Sequence, residues 1–97
     1  MKYYLYILKT LDNTLYCGIA RDVLARFEEH KNGTGAKYTR SHKPEKLVYV
    51  DIFEDKSSAS KEEYRIKKTL SRKEKLVLIE QNQKRTQKLL ETLSSEN

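Results

Sequence analysis

Tyr6 and Tyr16 lie on two short runs of aromatic and branched residues, and Gly18 follows the second tyrosine by two positions. Tyrosines on a rigid hairpin suggest a site, and a glycine beside them lets a ligand or another backbone approach closely. Arg26 and His30 are four residues apart and share one face of a helix. A guanidinium fork binds planar anions, and an imidazole moves protons near neutral pH. Glu63 falls on the apolar stripe of a later helix, in the series Ala59, Glu63, Ile66, Leu70. A carboxylate there is costly unless it is paired or binds a cation. Each residue also has a plain structural reading. Strand tyrosines usually pack, Arg26 can be a surface arginine, and His30 a partly exposed histidine on the border of its stripe. Glu63 can be the structural partner of an arginine, with Arg26 available for it, or a metal ligand or acid/base.

The elements that must position these residues follow from composition. Tyr3–Leu8 and Leu15–Ile19 read as strands, with turn chemistry at Asp12-Asn13. Side chains alternate along a strand, so Tyr6 and Tyr16 share a face only if the turn holds an odd number of residues. Asp22 is a good N-cap for a helix over residues 23–31 that ends at Asn32-Gly33. Residues 32–44 read as a loop that interleaves Lys37, Tyr38 and Arg40. Residues 46–53 form a third strand, Ser57-Ser58 cap a helix to about Leu70, and Ser71–Glu74 is a capping box that opens another. From Gln81 the chain is polar except for Leu89, Leu90 and Leu93, and Ser94–Asn97 is expected to be disordered. The expected organisation is a domain over 1–82 and a polar tail over 83–97, a helical extension or disordered.

Charge narrows the partner. The net charge is +6, and it is clustered. Between Lys31 and Lys46 there are five Lys/Arg against Glu45; between Arg65 and Lys75 there are six against Glu74. Two local basic blocks favour a phosphate backbone over a diffuse solubility effect. The loop glycines make neither a dinucleotide fingerprint nor a P-loop. Cys17, the one cysteine, leaves no internal disulfide and suits a reducing cytoplasm, where this chain is expected. Cys17, His30 and His42 do not have the spacing of a zinc site. Met1-Lys2 leads straight into a strand, so no signal peptide is read, and no segment approaches transmembrane length.

Taken together, these pieces resemble the GIY-YIG nuclease superfamily, particularly its short bacterial stand-alone members. Tyr4-Leu5-Tyr6 and Tyr16-Cys17-Gly18 correspond to the two naming tripeptides, with Tyr4 where the first usually has glycine. Asp22, Arg26 and His30 match an Asp-x-x-x-Arg-x-x-x-His pattern, and the loop from His30 to Thr39 looks like that of the stand-alone group. Glu63 falls where the family has its metal-binding glutamate. The likeness runs from residue 2 to about residue 80. Asn82 is the nearest counterpart of a further asparagine found in some members and is left out of the site.

The resemblance implies a small α/β domain, a three-stranded, mostly antiparallel sheet flanked by about three helices. It implies a metal-dependent endonuclease acting on nucleic acid, DNA ahead of RNA, without strong sequence preference. Tyr6 would be the general base or orient the water, Arg26 would bind the scissile phosphate, and Tyr16 and His30 would position water or phosphate or assist proton transfer. Glu63 would hold one divalent cation, magnesium or another such as manganese. Lys31, Lys37, Tyr38, Arg40 and Lys67 are the candidate nucleic-acid contacts, and Gly18 is a structural requirement. No membrane partner is expected, and a monomer is the default. The competing reading is a nucleic-acid-binding module on the same scaffold with little or no cleavage.

Overall fold

Tyr3–Thr10 and Leu15–Ala20 form an antiparallel hairpin, β1 and β2, in the computed structural model, which describes residues 1–95. Leu11, Asp12 and Asn13 make the turn. The Thr10 N–H donates to the Thr14 carbonyl at 2.9 Å, and Asn13 takes φ 65°, a left-handed conformation that asparagine tolerates. A three-residue turn sets the register Tyr6↔Gly18 and Leu8↔Tyr16. Residues directly opposite share a face, so Tyr6 and Tyr16 point to the same side.

Pro44–Phe53 is β3, beginning two residues earlier than the sequence suggests. It pairs antiparallel with β1, giving the order β2-β1-β3. Proline is tolerated there because it is the first residue of an edge strand. Central β1 separates two cores. Leu5, Ile7, Cys17 and Tyr49 face α3 (Lys56–Thr69), where they meet Ile66, and α4 (Arg72–Gln81), which adds Leu78 and Ile79. Tyr6, Leu8 and Val50 face the other side. There they meet Val23, Leu24 and Phe27 of α1 (Val23–Lys31) and Leu89, Leu90 and Leu93 of α5 (Gln83–Ser95).

Capping follows the sequence closely. The Ala25 N–H donates to Asp22, and the Ser71–Glu74 capping box is formed in both directions. At α3 the cap is Asp55, which accepts from the Ser58 N–H at 2.8 Å; Ser57 and Ser58 lie inside the first turn. Five helices flank the sheet where about three were expected. One extra is α2 (Lys37–Ser41), inside the segment read as a loop. The other is α5. Asn82 ends α4, its Nδ2 donating to the Leu78 carbonyl at 2.8 Å, and the chain then returns to the sheet. The Val50 N–H donates to Thr86 Oγ1 at 3.2 Å, and the three leucines of the tail pack on the Tyr6 side. Ser94 and Ser95 are helical, contrary to the expected disorder; Glu96 and Asn97 lie outside the described residues. No helix among the described residues is long and apolar enough to cross a membrane.

Candidate active site

Tyr6 is held by the central strand of the sheet and is 1% exposed. Its hydroxyl is bonded to His30 Nε2 at 2.7 Å. His30, in the last turn of α1, is also 1% exposed. That overturns its reading as a partly exposed histidine on the helix border. The cause is the segment after α1. It folds back so that Gly35 lies against the imidazole and α2 presents Thr39, whose Oγ1 is 2.7 Å from His30 Nδ1. Both ring nitrogens are therefore engaged by protein. Thr39 had no signal in the sequence, where it is an ordinary threonine in a glycine-rich stretch.

Burial dominates the electrostatics. It raises the Tyr6 phenol well above the usual tyrosine range, and Tyr16 adds to this, while the neighbouring Arg26 guanidinium pulls the other way. Burial first, then Arg26, lowers His30 below the ordinary histidine value. At neutral pH the pair is thus a neutral phenol on a neutral imidazole. Cys17 lies on the opposite core. Burial, then the Glu63 carboxylate, push its thiol up to about 12, so it is no nucleophile.

Tyr16 sits edge-on to His30 at 5.2 Å and 6.4 Å from the Tyr6 ring. Tyr38 of α2 stacks on Tyr16 at 5.7 Å, and His42 stacks on Tyr38 at 4.3 Å. The hairpin turn ties this ladder down: the Tyr38 hydroxyl donates to Thr14 Oγ1, and His42 Nδ1 meets Asp12 at 2.6 Å. Tyr38 is 37% exposed, within an aromatic row that runs from Tyr6 through Tyr16 to His42.

The remaining candidates divide. Arg26 lies beside Tyr6 but pairs with Glu29 at 2.8 Å. The alternative that made it the structural partner of Glu63 is therefore not realised. Glu63 pairs instead with Lys67, one turn on, at 3.2 Å, and Lys67 Nζ lies over the Tyr16 ring at 5.6 Å. The carboxylate is only partly buried, its side chain 22% exposed, and it connects to the aromatic row through Lys67 rather than touching Tyr6 or His30. Among the described residues no three His, Cys, Asp or Glu side chains converge. A cation at Glu63 would have one protein carboxylate, completed by water and phosphate oxygens, a donor set that suits magnesium. Lys67 is the group it would displace. Lys31 is committed to Glu28 and lies over Phe27. Lys37 and Arg40 are exposed on the same short helix that supplies Thr39.

Two glycines make this packing possible. A Cβ on Gly18 would lie 2.6 Å from the Tyr6 hydroxyl, and a Cβ on Gly35 would lie 2.5 Å from His30 Nδ1. Neither buried ring can swing away. Gly18→Ala is expected to cost about 1–3 kcal/mol, as overpacking does, and to separate Tyr6 from His30. Thermal melting checks this; an alanine variant that melts with the wild type would mean the phenol has room to move.

Residues 2–76 match the family described as the GIY-YIG catalytic domain. Among curated relatives, a UPF0213 protein of Staphylococcus saprophyticus is 51% identical over 78 residues, covering 80% of this chain and 94% of its own length. One from Staphylococcus haemolyticus is 49% identical over 80 residues, covering 82% and 96%. The solution structure of a UPF0213 protein from Bacillus halodurans is 40% identical and superposes with a TM-score of 0.56, covering 86% of this chain and 87% of that one.

Proposed function

The chain belongs to the GIY-YIG catalytic-domain family, and from that premise we propose that it is an endonuclease that hydrolyses phosphodiester bonds with the help of a divalent cation. Nucleic acid is the substrate class, DNA ahead of RNA, with weak sequence preference. The observation that carries this reading is the buried Tyr6–His30 pair beside Arg26. A structural core has no need for a phenol and an imidazole bonded to each other next to a guanidinium.

Phosphodiester hydrolysis requires an activated water and neutralisation of charge on the phosphate. In this reading Tyr6 accepts the water's proton. Arg26 exchanges its exposed Glu29 partner for the scissile phosphate, which its planar fork fits better than a single carboxylate oxygen. Tyr16 orients the water or the phosphate from β2. Glu63 would hold a divalent cation, which would supply positive charge against that developing on the phosphate oxygens. Lys37, Arg40 and Lys67 hold the backbone on either side, and a neighbouring base stacks on Tyr38 in place of His42.

Incubating the pure protein with labelled single-stranded, duplex and branched DNA and RNA, with and without magnesium, tests this directly. Magnesium-dependent cutting is the expected result. Binding without cutting of any substrate would leave the chain a nucleic-acid-binding module on a nuclease scaffold. Lys37→Ala with Arg40→Ala is expected to weaken binding alike for all sequences and to reduce the salt slope by about 2. Unchanged affinity at low salt would make α2 a connector only.

A further inference from the structure

We infer that Thr39 is a positioning residue that holds His30 in the Nδ1–H tautomer, so that Nε2 is the proton acceptor for Tyr6 and Tyr6 acts as a relay between water and His30. The tautomer follows from hydrogen-bond accounting. A neutral imidazole has one donor and one acceptor nitrogen, and the bond at one fixes the other. Thr39 Oγ1 lies 2.9 Å from the Ala36 carbonyl and 2.7 Å from His30 Nδ1. It has one proton for two partners, and the carbonyl can only accept. If Thr39 donates to the carbonyl, Nδ1 must donate to Thr39, and Nε2 is left to accept the Tyr6 hydroxyl proton at 2.7 Å.

The opposite tautomer would leave Thr39 Oγ1 and the Ala36 carbonyl in contact at 2.9 Å with no proton between them. Its only compensation is the Ala36 N–H, which approaches Nδ1 at 3.4 Å, too long to be a strong bond. Thr39 is 1% exposed, so bulk solvent does not repair the loss. The first arrangement therefore wins.

Its consequence is chemical. With its own proton directed at Nε2, the Tyr6 oxygen has two lone pairs, one facing the Arg26 guanidinium and one left to accept from water. As water attacks phosphorus, one water proton passes to the Tyr6 oxygen while the phenol proton passes to Nε2. A P–O bond forms to the hydroxide, the P–O bond to the leaving oxygen breaks, and that oxygen takes a proton from solvent. Tyr6 ends as a phenol and His30 as an imidazolium, which then returns its proton to solvent. The phenol never has to exist as a free phenolate, a state that its burial opposes.

This inference rests on the nuclease reading for its chemistry but not for its tautomer. Nitrogen NMR of the ring nitrogens of His30 in the free, labelled protein reads the tautomer without any substrate. The wild type and Thr39→Ser are expected to show Nδ1–H; Thr39→Val is expected to lose it. An Nε2–H imidazole in the wild type overturns the inference, and so does a Thr39→Val ring that keeps the wild-type pattern. If Thr39→Val does not fold, the wild type and Thr39→Ser still decide. In a cleavage assay Thr39→Val should lower kcat roughly 10²-fold, the low end for general acid–base contributions, with KM unchanged and Thr39→Ser restoring most of the rate. A wild-type kcat in Thr39→Val alongside an altered tautomer would overturn the relay. A protein that cuts nothing would remove the nuclease reading while the spectra stood.

Discussion

A Tyr6→Phe protein is expected to fold, to bind nucleic acid as the wild type does, and to lose cleavage by roughly 10²–10⁴-fold, the range of a general acid–base group. The substitution removes one oxygen and keeps the ring. That ring's packing with Leu8, Val23 and Val50 is retained, and the close fit against Gly18 is relaxed. What is lost is the partner of His30 Nε2. A buried acceptor left unsatisfied costs about 1–3 kcal/mol, which lowers the melting temperature without unfolding a domain of this size. Affinity should hold because the basic residues of α2 and α3 are untouched. The measurement is kcat under saturating substrate alongside a thermal melt. A variant that cuts within a few-fold of wild type while melting lower would make the Tyr6–His30 bond structural and move the water's proton elsewhere.

The three strands were readable from composition and turn chemistry, whereas the hairpin register was open, since Tyr6 and Tyr16 share a face only with an odd turn. Turn chemistry pointed to Asp12-Asn13, and Leu11 joins them to make a three-residue turn that puts both tyrosines on one face. The caps at Asp22 and Ser71 were readable because one side chain satisfies one backbone N–H, whereas at α3 Asp55 takes the role read for Ser57-Ser58 two residues later. Two elements were not. α2 has five residues in a glycine-containing stretch, too short for any period to register. It is held by Thr39, Tyr38 and His42 bonding to residues far away in sequence. In α5 the signal existed: Thr86, Leu89, Leu90 and Leu93 recur at helical spacing. It was diluted by the polar residues between them. Within the site, residue types were legible but burial was not. His30 becomes a core residue because Gly35 and Thr39 close over it, a contact that no sequence period announces. Thr39 went unseen for the same reason.

Glu63→Gln is expected to abolish magnesium-dependent cleavage while leaving the melting temperature within a few degrees of wild type. Two accounts of this carboxylate were open on the sequence, a structural partner for an arginine and a metal ligand or acid/base. A buried pair with Arg26 would have made the substitution destabilising by about 3–5 kcal/mol, because one charge would be left uncompensated. That pair does not exist: Arg26 is engaged by Glu29, and Glu63 by Lys67. The Glu63–Lys67 pair joins residues one turn apart on α3, and both side chains are partly exposed, 22% and 43%. Such helix pairs are worth about 0.3–0.5 kcal/mol, and glutamine keeps the side chain's shape. Stability therefore gives little reason for a glutamate at this position. The proposed metal role gives one, because glutamine is a far weaker ligand for a hard divalent cation. Lys67, released from its partner, stays over the Tyr16 ring and remains available to a phosphate. Nucleic-acid binding without metal should then be preserved or slightly stronger, since one negative charge is gone from the surface. Calorimetric titration of magnesium in the presence of uncleaved substrate would separate the metal from the fold. Loss of that binding together with loss of cutting is the expected pair of results, whereas a Glu63→Gln protein that cuts at the wild-type rate would refute the metal assignment.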